Sequence, residues 1–280
     1  MNSRTIYLTA SLVLGLTILA VAHEFWLQPQ RFFAAVNDVV SIEIMVGEAF
    51  QGDHSEGKKN RIIQFVHIAN GSKEDLTPNI TNDHYGATNV TLKSPGTHMI
   101  AFANTPKFLS MKADSFLLYL QEDGLDNVIA ARKKLNEADG QKRSRELYRR
   151  CVKTLIQVGD KPDNTFATNT GMPLEIIPAQ NPYALKPGQM ADFQVLFEQK
   201  PLPMALVRYW NRDAANQLHE VQQRSDAQGR VRFSLRAGRN MVSLVQMVPY
   251  TGAAQTGIEK PDFPPVDWIS YWGSLTFGCK

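Results

Sequence analysis

Apolar and polar residues alternate with a period of two through much of the chain. Val39-Val40-Ser41-Ile42-Glu43-Ile44-Met45-Val46 alternates and stops at Gly47. Ile62 to Ala69 is a second run, closed by the turn dipeptide Asn70-Gly71. Asn89-Val90-Thr91-Leu92 leads into Ser94-Pro95-Gly96, and Thr97 to Ala103 follows. Short strands at regular spacing predict a β-sandwich. The period changes at Phe116. From there to Arg150 the chain is rich in Leu, Ala, Lys, Arg and Glu and has no Pro, with Leu125, Val128, Ile129 and Leu135 at helical spacing. This predicts two helices, interrupted at Ala138-Asp139-Gly140 and resumed from Ser144 to Arg150. Lys133-Lys134, Lys142-Arg143, Arg145 and Arg149-Arg150 then read as a solvated basic helix face.

Val152 to Val158 reads as a strand returning to the first sheet. The polar stretch Gly159 to Gly171 is the natural boundary. Beyond it, Phe193, Val195 and Phe197 alternate with polar neighbours, as do Val231, Phe233 and Leu235. Val207 with Tyr209, Met241 to Val248, and Ile269 to Phe277 supply further strands. The fold class expected is mainly β. Two β-sandwich domains of immunoglobulin or transthyretin type, 23–160 and 172–280, carry a short helical insertion at about 116–150. Hydrophobic residues at 43% and charged residues at 20% are ordinary for a globular chain. A formal charge of +3 makes no case for nucleic-acid binding. Phe263, Trp268, Tyr271 and Trp272 are expected to pack onto the sheet.

The first residues predict export. Met1 to Arg4 is a short basic start, Ile6 to Leu19 an apolar run, and Ala20-Val21-Ala22 a small-x-small cleavage site. The run is shorter than the ~20 residues that span a bilayer, so residues 1–22 are read as a signal peptide. No second long apolar stretch follows, and a soluble periplasmic or secreted product is expected. Cleavage after Ala22 makes His23 the first residue. In an oxidising compartment the two cysteines, Cys151 and Cys279, are free to pair.

Several stretches together resemble a known family. They are Ala22-His23-Glu24-Phe25-Trp26-Leu27, Gly171-Met172-Pro173-Leu174-Glu175-Ile176-Ile177-Pro178, Pro187-Gly188-Gln189, Ser225-Asp226-Ala227-Gln228-Gly229-Arg230, and the terminal Tyr271-Trp272-Gly273-Ser274-Leu275-Thr276-Phe277. This set resembles the NikM-like periplasmic family, a domain of unknown function linked to nickel and cobalt uptake. The second half also resembles the transthyretin-like or carboxypeptidase-regulatory sandwich. The resemblance implies a non-catalytic accessory role with a membrane metal-uptake system as partner. In the family pattern an early strand often ends Gly-His. Here the pair is Gly47-Glu48, so a carboxylate stands where an imidazole ligand is implied. The Asp226-x-x-Gly229 turn reads as structural, with Asp226 bonding backbone N–H groups and Gly229 at positive φ.

The chemistry expected centres on His23. An N-terminal His offers its α-amine and its imidazole in one chelate, suited to Ni(II), Co(II) or Cu(II). His84 and His54 lie in loops and are the expected helpers, followed by Glu48 at the end of its strand. His67 and His98 sit among apolar residues on strand faces and read as core. Gly-x-Ser-x-Gly, His-Glu-x-x-His, phosphate-loop and Rossmann signatures are all missing from the sequence, so no enzyme is expected. Two other readings stand beside this one: a metal-free envelope ligand-binding or adhesion sandwich, and a copper enzyme using an N-terminal His.

Overall fold

The computed structural model describes residues 24–80, 84–135, 143–252 and 263–280. The first half contains β1 (Glu24–Pro29), β2 (Phe33–Ala34), β3 (Val39–Glu48), β4 (Gln51–His54), β5 (Ile62–Ala69), β6 (Ser72–Asp75), β7 (Ala87–Thr91), β8 (Gly96–Asn104) and β9 (Lys107–Leu109). Helices α1 (Ala113–Glu122) and α2 (Asp126–Lys134) precede the long β10 (Glu146–Val158). The second half adds β11 (Leu174–Pro178), β12 (Met190–Phe197), β13 (Lys200–Pro201), β14 (Leu206–Arg212), β15 (Leu218–Arg224), β16 (Arg230–Ser234), β17 (Gly238–Pro249) and β18 (Trp268–Cys279). The protein is mainly β, with a short helical insertion.

A ten-stranded sheet forms the middle layer, in the order β15-β14-β17-β18-β10-β8-β5-β6, with β2 and β9 also on β10. It runs through both halves of the chain, because β18 pairs in parallel with β10 from Glu146↔Trp268 to Thr154↔Thr276. Strand β10 shows how the layers stack. Its Leu147, Cys151 and Leu155 face a core shared with the sheet of β11, β12, β13 and β16. Its Val152, Ile156 and Val158 face the other way, toward the sheet of β1, β3, β4 and β7. The two helices cover the remainder of that second face through Phe116, Tyr119, Leu120 and Val128 against Trp268 and Trp272.

Two expectations change here. Ser144 to Arg150 is not helical; Glu146 to Arg150 opens β10. A charge-rich segment mimics an exposed helix, yet this strand is central and buried on both faces. Glu146, Arg149 and Arg150 are all buried, so the latter two are no part of a solvated basic face. The guanidinium of Arg150 instead lies against the rings of Trp272, Tyr148 and Phe25, 4.8, 5.1 and 5.3 Å from their centroids. The helices break at Gly124, whose φ of +63° ends α1; the expected break at 138–140 lies outside the described residues.

The second change concerns the cysteines. Cys151 and Cys279 are both free and buried. The ladder explains why they do not pair: Cys151 lies opposite Gly273, and Cys279 is six residues further along β18. That separation is about 20 Å at the rise of an extended strand, far beyond disulfide reach.

The motif at the start of the second half has a structural use. Glu175 and Lys153 form a fully buried ion pair between β11 and β10. The other carboxylate oxygen of Glu175 accepts from the N–H groups of Thr170 (2.9 Å) and Met172 (3.1 Å) and from the Thr170 hydroxyl. The linker is thereby tied to the middle sheet. In the Asp226 turn, the carboxylate accepts from Gln228 and Arg230 N–H at 2.8 Å, and Gly229 has φ +72°.

Candidate functional site

Strand β1 enters the fold buried from its first described residue. Glu24 lies opposite Gly47, Trp26 opposite Met45 and Gln28 opposite Glu43. On the other edge of β3, Met45 faces His54 and Gly47 faces Gly52. The β3–β4 hairpin turns on Ala49 and Phe50, with φ +51° and +61°. This two-residue geometry normally selects Asn-Gly, so its cost is offset by contacts. The Glu24 carboxylate accepts from Ala49 N–H at 3.0 Å, Arg212 donates to the Ala49 carbonyl at 2.8 Å, and the Phe50 ring meets Trp26 edge-on at 6.0 Å. Burial pushes the Glu24 carboxyl up to about 7, against the pull of Ala49 N–H and Arg208.

The expected metal ligands fall at separate places. His23 lies outside the described residues. Glu48 is exposed at the end of β3, one ladder step past the Glu24–Gly47 pair. His54 is half-exposed at the end of β4, with Nε2 3.5 Å from Glu43. It lies three ladder positions from Glu48 and on the opposite face of the sheet. His84 is exposed and forms an isolated bridge with Lys58. Among the described residues, no three of His, Cys, Asp and Glu converge on one point.

Residues missed in the sequence form a buried charged network under the helices. Glu146 Oε1 accepts from the Tyr119 hydroxyl at 3.2 Å and from Ser270, whose oxygen accepts from Trp272 Nε1–H at 3.1 Å. Arg208 pairs with Asp123 at the end of α1 and donates to the Glu122 carbonyl. Arg224 holds Asp126 of α2 at 2.6 Å. These two arginines of β14 and β15 fasten the insertion to the sheet. No local sequence pattern marks this network, because its members come from α1, α2, β10, β14, β15 and β18. A cleft beside Glu24, lined by Arg208, Ser243 and Trp272, has about 10 Å³ of free volume, enough for roughly one water.

Burial gives these groups opposing pH effects. Burial raises Glu146 to about 7 and Asp123 to about 6. Each folded-state value lies above the unfolded one, so the stability these groups contribute is present in acid and lost as pH rises through 7. His67 behaves in the opposite way. Its Nε2 and His98 Nδ1 are 2.7 Å apart, and His98 Nε2 lies 2.8 Å from the Ser94 carbonyl. Burial, reinforced by His98, lowers His67 to about 4, so its stabilising effect is lost as pH falls from about 6.5 to 4. Glu146→Gln removes the Glu146 share of the alkaline loss and leaves those of Asp123 and Glu24. Urea unfolding is expected to show this variant gaining about 2 kcal/mol on the parent between pH 5 and pH 8. A difference independent of pH would show that Glu146 is ionised throughout.

A family model described as a domain of unknown function (DUF4198) matches residues 20–247, and the chain belongs to that family. No curated protein matches the chain. Among the described residues, no helix is long and apolar enough to cross a membrane.

Proposed function

We propose that this is an exported, non-catalytic accessory protein that binds a late transition metal as cargo, nickel, cobalt or copper, through the freed N-terminal His23. Glu48 supplies a carboxylate. The observation that carries this reading is the anchoring of β1. Glu24 is buried and bonded to the β3–β4 hairpin, and the exposed carboxylate of Glu48 stands one ladder step beyond, on the side from which the chain enters β1. Amine, imidazole and carboxylate together suit borderline divalent ions, and loading releases protons from the amine. His54 and His84 are not needed for this donor set. The resemblance to nickel- and cobalt-linked periplasmic proteins supports the same cargo, with a membrane uptake system as partner.

Calorimetric titration of the exported protein is expected to give one site, with Ni(II) and Cu(II) bound above Mn(II). His23→Ala should weaken Ni(II) by about a hundredfold, since it removes one donor and disrupts the chelate. Equal affinity in both would favour the metal-free envelope-binding reading.

A further inference from the structure

The face of the β1–β3–β4 sheet that carries Glu24 and Glu43 holds a second donor set. Trp26, Met45 and His54 form one row across three adjacent antiparallel strands, Trp26 opposite Met45 and Met45 opposite His54. Directly opposed side chains share a face, with Cβ atoms about 4.5–5.5 Å apart. In the next row Gly47 faces Gly52, so no side chain flanks Met45 and His54 on that side. Trp26 is fully buried, and its ring is set by Phe50, Trp210 and Met241. Met45 is only partly buried against that cluster, and the His54 side chain is 55% exposed. The row thus grades from a fixed indole, through a thioether at the rim, to an accessible imidazole.

We propose that Met45 and His54, backed by the Trp26 indole, bind a soft monovalent metal ion, Cu(I) or Ag(I). Thioether sulfur selects such ions over hard divalent ones, and imidazole is a borderline ligand that also serves copper. A closed-shell monovalent ion is satisfied by two or three ligands, and the π face of Trp is the best aromatic wall for a cation. Met45 packs on the Trp26 cluster and stays only partly buried, and the exposed imidazole opposite it has its Nε2 3.5 Å from the Glu43 carboxylate. This site uses neither His23 nor Glu48, so it does not depend on the divalent-metal reading.

The test is a titration of the full exported chain with Ag(I), which needs no reductant, followed by calorimetry and by the ¹³C-methyl spectrum of its methionines. One Ag(I) should bind and move the Met45 methyl resonance. Met45→Leu and His54→Gln should each weaken Ag(I) by about tenfold or more. Both should fold, because the first swap conserves volume and the second is at an exposed position. Ni(II) affinity should be unchanged in Met45→Leu. His23→Ala should keep its Ag(I) affinity, so loss of Ni(II) binding there reports on the N-terminal site alone. Ag(I) affinities within about twofold of the parent in both Met45→Leu and His54→Gln would overturn the proposal.

Discussion

Lys153→Met is expected to destabilise the protein by about 4 kcal/mol, because it leaves the Glu175 carboxylate buried without its counter-charge. Both partners are excluded from water, and burial pushes Lys153 below its usual range while Glu175 pulls it back. Glu175→Gln strands the ammonium instead and should cost a similar amount. The double variant should cost less than the sum by about 2 kcal/mol or more, since neither charge then remains. The amide introduced by Glu175→Gln keeps an oxygen for the Thr170 and Met172 N–H groups, so the linker stays tied. Urea unfolding of the four proteins measures this cycle. A loss below about 1 kcal/mol in Lys153→Met would mean that the ammonium reaches water.

Gly47→Ala should be nearly as damaging, at about 3 kcal/mol, the upper end for overpacking. A Cβ there would sit 2.1 Å from the Gln51 carbonyl oxygen and 2.5 Å from Gly52 Cα, both backbone. The two strands must separate, and the Glu24–Ala49 bond at the hairpin tip goes with them. Ni(II) affinity should fall along with stability, because Glu48 adjoins the distorted pair. Gly71→Ala is the control. Unlike Gly47, that glycine has positive φ, +75°, but its Cβ would meet nothing within 4 Å, so only about 1 kcal/mol of backbone strain is expected. Thermal unfolding of the two variants decides. Equal small shifts would show that the hairpin has room at Gly47.

Strands with one polar face were legible in the sequence. Val39 to Val46 and Arg230 to Ser234 alternate because one side of each strand is less covered than the other. β10 was not legible at its start. Both of its faces are covered, and its charges are matched by residues far away in sequence: Glu146 by Tyr119 and Ser270, Lys153 by Glu175. A periodicity argument sees only the local run of Arg and Glu and reads a helix. The disulfide expectation failed for a related reason. Compartment chemistry permits pairing, but only the β10–β18 register sets the distance between Cys151 and Cys279. At the candidate site, sequence picked out His54 and Glu48 as separate loop and strand-end residues. It gave no sign that the β3–β4 register aligns His54 with Met45 and Trp26, because register is decided by a turn at Ala49-Phe50 that lacks the usual Asn-Gly marker.

In the proposed function, cleavage frees an N-terminal His to hold the metal. Ni(II) affinity of the protein beginning at His23, compared with the same protein acetylated at its α-amine, tests this most directly. Acetylation keeps the imidazole, Glu48 and the whole fold, and removes the amine as a donor. Affinity should drop by about tenfold or more. Equal Ni(II) affinity in the two proteins would contradict it.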